Sequence, residues 1–181
     1  MTFYASLLPS PKIEPGLQKL HTFVSPSLIR RILSGRFGPN IREQPPHFTI
    51  GEGFITHYKP TVLDKQIERL ADCFQPGLEL CAYPEVTKAR NELILKPEER
   101  TNELLFLLNS ILISTFKITK KPDQREFDPH ASLAFLDRSI DARIANEVLE
   151  GMELVFPVMG LFVSIYKGNQ SLLNKRYHVR S

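Results

Sequence analysis

Two short segments of this sequence carry the residue types and spacing of an acid–base site for phosphate chemistry. Pro46-His47-Phe48-Thr49-Ile50 and Pro129-His130-Ala131-Ser132-Leu133 share the pattern Pro-His-x-hydroxyl-aliphatic, one in each half of a 181-residue chain. In an extended strand, residues i and i+2 point to the same face. His47 and Thr49 then share one face, with Phe48 and Ile50 turned to a core. His130 and Ser132 repeat the arrangement above Ala131 and Leu133. One such pentapeptide is expected by chance in roughly one chain in a hundred of this length, and two on the order of once in ten thousand. A histidine that merely opens a half-buried strand explains one copy better than it explains both.

The chemistry these groups suit needs no metal. Opening a phosphodiester takes a base for the attacking water and an acid for the departing oxygen, and an imidazole titrating near ~6.5 can serve as either. In-line displacement puts attacker and leaving group on opposite sides of phosphorus, so two histidines on opposite walls fit it. Hydroxyls beside them can stabilise charge on the equatorial oxygens. We assign His130 as base and His47 as acid, an order that sequence alone does not fix and that can reverse with the substrate isomer. The remaining histidines, His21, His57 and His178, stand outside both motifs and are expected at the surface or in packing roles. Neither motif brings a second ligand at zinc spacing. Ser132 has no oxyanion-hole glycine motif around it to make it a nucleophile. There is no Gly-x-x-x-x-Gly-Lys-Thr/Ser loop, which argues against an ATP-driven ligase.

The elements that must position these residues follow from hydrophobic spacing. Residues 3–8 read as an opening strand, stopped by Pro9. Residues 16–24 have helical spacing at Leu17, Leu20 and Val24, and Ser25-Pro26 opens a second helical piece ending near Gly35. A Gly-, Pro- and Arg-rich loop then delivers the chain to the first motif. After Pro60, Leu63, Ile67, Leu70, Ala71 and Phe74 recur at helical spacing. Strands are expected over 79–86 and 91–96. A helix follows over 98–116, its apolar face made by Leu104, Leu105, Leu108, Ile111, Leu112 and Phe116, with Glu98 and Glu99 suiting its start. The second motif strand, 130–136, precedes a short helix over about 139–150, with Ser139 as cap and Gly151 as stop. Two strands, 152–166 and 172–180, finish the chain. The order motif strand, amphipathic helix, strand thus occurs twice. It predicts an α+β protein, a single domain of two similar lobes dividing near residue 88, with room for the lobes to interleave.

Composition bounds the class. Hydrophobic residues are 42% and charged residues 24%, the profile of a globular domain rather than a disordered or membrane chain. Two cysteines, Cys73 and Cys81, give no disulfide framework and read as free thiols of a reducing compartment. The start lacks a basic n-region and a long apolar stretch, so a cytoplasmic or nuclear setting is expected. The net charge of +3 excludes little. Its distribution says more: Lys117, Lys120, Lys121 and Arg125 lead into the second motif, and Lys167, Lys175, Arg176 and Arg180 crowd the C-terminus. These are either solvated loops or the rim of a site for an anion.

The paired Pro-His-x-Thr/Ser-aliphatic strands resemble the His-x-Thr/Ser elements of the 2H phosphoesterase superfamily. That superfamily includes bacterial RNA 2′,3′-cyclic phosphodiesterases, also described as 2′-5′ RNA ligases, and plant cyclic phosphodiesterases. The opening Phe3-Tyr4-Ala5-Ser6-Leu7-Leu8-Pro9 is similar to the family's first strand. Leu161-Phe162-Val163-Ser164-Ile165-Tyr166, then Gly168 and Tyr177-His178-Val179, is similar to the closing hairpin of its ligase-like branch. The resemblance implies a bilobal α+β fold, two antiparallel sheets flanking a central cleft with helices outside. It implies His47 and His130 as catalytic pair, Thr49 and Ser132 as phosphate-binding hydroxyls, and no cofactor. Phe135, Tyr166, Lys121 and Arg125 are the candidate substrate contacts. Phe135 stands where some members carry Tyr; a phenyl ring can stack on a base but cannot bond a phosphate oxygen.

Three functions are compatible with this reading. One is a metal-independent phosphodiesterase for 2′,3′-cyclic phosphate ends of RNA or of nucleotides. Another is a 2′-5′ phosphodiesterase or reversible 2′-5′ RNA ligase using the same histidines. The third is a non-catalytic module binding RNA ends or nucleotides. The partners expected are RNA 3′ ends or cyclic nucleotides, with no membrane, for a monomeric protein. An RNA substrate predicts steep salt dependence of affinity, a mononucleotide a mild one.

Overall fold

The computed structural model describes residues 1–9, 47–116, 126–137 and 139–179. The two helical pieces expected over 16–35, the loop that follows them, and Lys117, Lys120, Lys121, Arg125 and Arg180 lie outside these residues. The described elements run β1 (Thr2–Pro9), β2 (Phe48–Ile55), α1 (Pro60–Asp72), β3 (Glu79–Thr87), β4 (Glu92–Pro97), α2 (Glu99–Thr115), β5 (Ala131–Phe135), α3 (Ala142–Leu149), β6 (Leu154–Lys167) and β7 (Gln170–His178).

All strand pairs among the described residues are antiparallel, and β6 belongs to two neighbourhoods. Its first residues, 154–157, pair with β3, which continues through β4 to β5. Its later residues lie between β1 and β7, and β1 continues to β2. The strand order β2-β1-β6-β3-β4-β5 therefore puts the two motif strands at opposite ends of one hydrogen-bonded path. Residue 88 falls in the turn between β3 and β4, inside the second sheet (β3, β4, β5 and the start of β6), while the rest of β6 and β7 lie with β1 and β2 in the first sheet. The two sheets are thus built from interleaved stretches of chain. Gly160 marks the change of partner: a Cβ there would lie 1.9 Å from the Tyr177 carbonyl oxygen, so only glycine lets β6 and β7 approach this closely.

The helices follow their sequence signals. Pro60 occupies the first turn of α1, which buries Leu63, Ile67 and Ala71. It is tied to β7 by Asp64, which accepts hydrogen bonds from Lys175 Nζ and Tyr177 Oη, both at 2.7 Å. Glu98 caps α2, its carboxylate accepting from the Thr101 amide. That helix buries Leu105, Leu108 and Leu112 and reaches both sheets. Thr101 Oγ1 accepts from the Cys81 amide in β3 at 2.9 Å, and Asn109 donates to β2. The cap of α3 is Asp141 rather than Ser139: Asp141 Oδ1 accepts from the Arg143 amide at 2.8 Å. Ser139 instead donates both its amide and its hydroxyl to Asp137, because a carboxylate one position before the helix outcompetes a hydroxyl three positions before it. In α3, Asn146 bonds both the amide and the carbonyl of Val86, closing the stretch of β3 that extends beyond β6. Apolar side chains of both sheets and all three helices form one buried cluster. No helix among the described residues is long and apolar enough to cross a membrane.

Candidate active site

Motif one begins immediately before β2. Phe48 and Ile50 are buried, while His47 and Thr49 are half-buried, as the alternation predicts. The β1–β2 ladder is irregular at this place. Ser6 pairs with Thr49 and Ala5 with Gly51, so Ile50 is an extra residue with no partner on β1, a β-bulge. A bulge leaves a backbone group without its ladder bond. Asn109 of α2, itself buried, donates from Nδ2 to the Ile50 carbonyl at 2.7 Å.

Motif two repeats the irregularity at the same motif position. Ser132 pairs with Ile94 and Ala134 with Leu93, so Leu133 is the extra residue. The consequence is directional. In an unbroken strand Phe135 would face away from Ser132, three residues earlier. Beyond the bulge it pairs with Glu92, which shares a face with Ile94 and hence with Ser132. Phe135, half-buried, is thereby returned to the hydroxyl's side of the sheet.

His130, half-buried, sits immediately before β5. Its Nδ1 lies 2.8 Å from the Asp128 carbonyl oxygen. A carbonyl can only accept, so Nδ1 carries the proton, and in the neutral ring Nε2 is left with the lone pair. Ser132 is exposed, and its Oγ donates to Glu92 Oε1 at 2.5 Å. Glu92 is 7% exposed, a buried carboxylate at the motif hydroxyl.

On the first sheet, the face of Thr49 can be followed by register. Ser6 lies across from Thr49 and from Phe162; Tyr4 pairs with Ser164, and Thr2 with Tyr166. Tyr166, a candidate contact, is therefore on the face of Thr49, its ring edge-on to Tyr4 at 6.0 Å. Burial, and after it the charges of Glu52 and Tyr166, push the Tyr4 phenol above its ordinary pKa. Arg176 pairs with Phe162 and shares this face. Lys175, one residue before it, points to the helix side and to Asp64, whose carboxyl is held below its usual range by hydrogen bonds from Lys175 first and Tyr177 second. The C-terminal cluster of cations is thus divided, with Lys175 engaged in holding α1.

The described site residues form two groups. Thr49, Tyr4, Tyr166 and Arg176 lie on one sheet; Ser132, Glu92 and Phe135 lie on the other, with His47 and His130 at the starts of the two motif strands. Lys121 and Arg125 lie outside the described residues. His57 and His178 are exposed. A surface pocket of about 320 Å³ near Tyr83, Lys96 and Asn146 includes neither motif histidine. Sequence reading passed over Glu92 and Asn109. Both carried a signal: a carboxylate opening the apolar run Leu93-Ile94-Leu95, and an amide inside the stripe Leu105, Leu108, Leu112 at i, i+3 and i+7.

No protein-family model matches the sequence, and no curated protein matches it. Solved structures do. E. coli LigT complexed with 3′-AMP aligns over 99% of this chain and 98% of its own, with a TM-score of 0.56 at 15% identity. TT0787 of Thermus thermophilus aligns over 98% of each chain, with a TM-score of 0.54 at 16% identity. Kluyveromyces marxianus Usb1 covers 98% of this chain and 97% of its own, with a TM-score of 0.51 at 12% identity. The chain has the fold of the LigT-like 2H phosphoesterases, in agreement with the motif pair.

Proposed function

We propose that the protein is a phosphodiesterase of the 2H type that hydrolyses 2′,3′-cyclic phosphate ends of RNA or of nucleotides, with no metal in the reaction. The observation that carries this reading is the bond from His130 Nδ1 to the Asp128 carbonyl, which reserves Nε2 as a base in the second of two equivalent motifs. The base takes a proton from water as the water oxygen bonds to phosphorus. His47 gives a proton to the ribose oxygen as the P–O ester bond breaks, leaving a ribose hydroxyl and a phosphomonoester. Thr49 and Ser132 donate to the equatorial oxygens, and Phe135 and Tyr166 offer rings to the nucleoside. The 3′-AMP bound by E. coli LigT is a nucleotide monoester of the kind such a reaction releases.

The test is turnover of a short RNA ending in a 2′,3′-cyclic phosphate, in EDTA, by wild type, His47→Ala and His130→Ala. General acid–base groups contribute typically ~10²–10⁴-fold each, so both variants should fall by that order. The wild-type pH–rate profile should be a bell with two limbs. Full activity in either variant, or a profile with one limb, would refute the paired mechanism.

A further inference from the structure

Glu92 is the buried group nearest the candidate chemistry that the proposed mechanism does not use. Its position is held from three directions. Thr87 Oγ1 accepts from its amide at 3.3 Å. The preceding residue, Asn91, is in the left-handed region with φ 49°. The Asn91 side chain donates to the Ile140 carbonyl at 2.9 Å and to that of Asp137 at 3.2 Å. From this corner Glu92 Oε1 meets the Ser132 hydroxyl at 2.5 Å. Among the described residues the lysine ion pairs go to Glu85 and Asp64, and none goes to Glu92.

A carboxylate directly behind a phosphate-binding hydroxyl works against phosphate. To donate to a phosphate oxygen, Ser132 must take its proton away from Glu92, leaving a buried acceptor beside an incoming anion. The penalty grows with the charge of that anion. A phosphodiester carries one negative charge, whereas a phosphomonoester carries about −1.5 to −2 near pH 7.

We propose that Glu92 is a positioning residue that makes the site selective for charge, acting through Ser132 to admit a phosphodiester and disfavour the phosphomonoester that its hydrolysis yields. The idea rests on the proposed function for its substrate class. Glu92 then speeds release of product rather than the bond-making step. An extra unit charge ~5 Å from a carboxylate, at the effective dielectric of a partly solvated cleft, is worth roughly a tenfold difference in affinity.

The experiment compares dissociation constants for two probes, a slowly hydrolysed phosphorothioate analogue of adenosine 2′,3′-cyclic phosphate, read before it is opened, and adenosine 3′-monophosphate, with turnover read separately. Wild type should prefer the diester analogue by about tenfold more than Glu92→Gln does, chiefly because the variant binds the monophosphate more tightly. Glu92→Leu, a second neutral variant should Gln fail to fold, should behave alike. Glu92→Asp, which keeps the charge, should keep the wild-type preference. A merely structural role for Glu92 moves both constants together, and that result, or an unchanged ratio in the neutral variants, overturns the proposal. Binding without turnover in wild type refutes the proposed activity while leaving the ratio to decide on Glu92. Binding of neither probe overturns both.

Discussion

Asn109 offers a test of whether the β2 bulge is held from outside the strand. Asn109→Ala removes the donor to the Ile50 carbonyl, which stays buried between β2 and α2. An orphaned buried acceptor costs about 1–3 kcal/mol, and the space left by the amide adds ~1 kcal/mol. Alanine's better helix propensity returns about 0.5 kcal/mol. The net loss is about 1.5–3.5 kcal/mol, a large share of a stability of ~5–15 kcal/mol. For a chain of this length that lowers Tm by roughly 3–14 °C.

Asn109→Leu separates stability from positioning. Leucine fills the space and adds apolar burial worth up to ~2 kcal/mol, recovering much of the stability. The Ile50 carbonyl remains without a donor, so Thr49, its neighbour, loses its fixed place. Misplacement by ~1 Å can cost about 10²-fold in rate. The leucine variant should therefore be nearly as stable as wild type in urea titration yet as poor in turnover as the alanine variant. Ser110→Ala is the control, since that exposed hydroxyl bonds only to Phe106 one turn back. Should Asn109→Ala be as stable as Ser110→Ala, or Asn109→Leu fully active, the bulge does not depend on this amide and the reasoning fails.

Three further outcomes are expected. Gly160→Ala forces a methyl against the Tyr177 carbonyl and should cost roughly 3–5 kcal/mol in urea unfolding; a loss below ~1 kcal/mol would mean β6 and β7 separate easily. Asp64 has a lowered pKa in the fold, from its bonds to Lys175 and then Tyr177, so its stabilisation is present above the unfolded carboxylate value near ~4 and is lost as pH falls through the folded value. Tyr177 is shifted the other way, by burial and then by Asp64, so its contribution is present below ~10 and is lost as pH rises. The Tm gap between wild type and Asp64→Asn should thus close in acid, and an equal gap at low and neutral pH would contradict the assignment. Phe135→Ala should weaken nucleotide binding by about tenfold, the worth of one stacked base, and leave inorganic phosphate binding unchanged; parallel losses for both ligands would remove the stacking role.

The strands and helices were legible where a local period carries them. Phe48 and Ile50 alternate with Thr49, and Leu63, Ile67 and Ala71 repeat at helical spacing, so β2 and α1 could be read from a window of a dozen residues. The bulges at Ile50 and Leu133 could not. A bulge is a mismatch between two strands, and nothing in His130-Ala131-Ser132-Leu133 tells which residue of β4 will be skipped. Phe135 shows the cost: simple alternation from Ser132 sends it to the wrong face. β6 has the same property on a larger scale. Its fourteen residues read as one strand, and the exchange of β3 for β1 and β7 along it is fixed by partners distant in sequence, with Gly160 as the local trace.

The same nonlocality explains why polar residues inside apolar runs were informative and were missed. Burying an amide or a carboxylate is unfavourable unless a partner waits for it, so each such residue predicts an unmet backbone or side-chain group elsewhere. Asn109 meets the carbonyl freed by one bulge, and Glu92 meets the hydroxyl beside the other. The anchor to β2 comes from the helix that also grips β3, so the first motif strand is tied to the second sheet as well as to β1. The proposed mechanism asks one histidine at the start of each motif strand to act on the same phosphate, which requires a fixed separation between β2 and β5. In this fold the shared strand β6 and the spanning helix α2 supply that constraint, and substitutions at either should impair turnover out of proportion to stability.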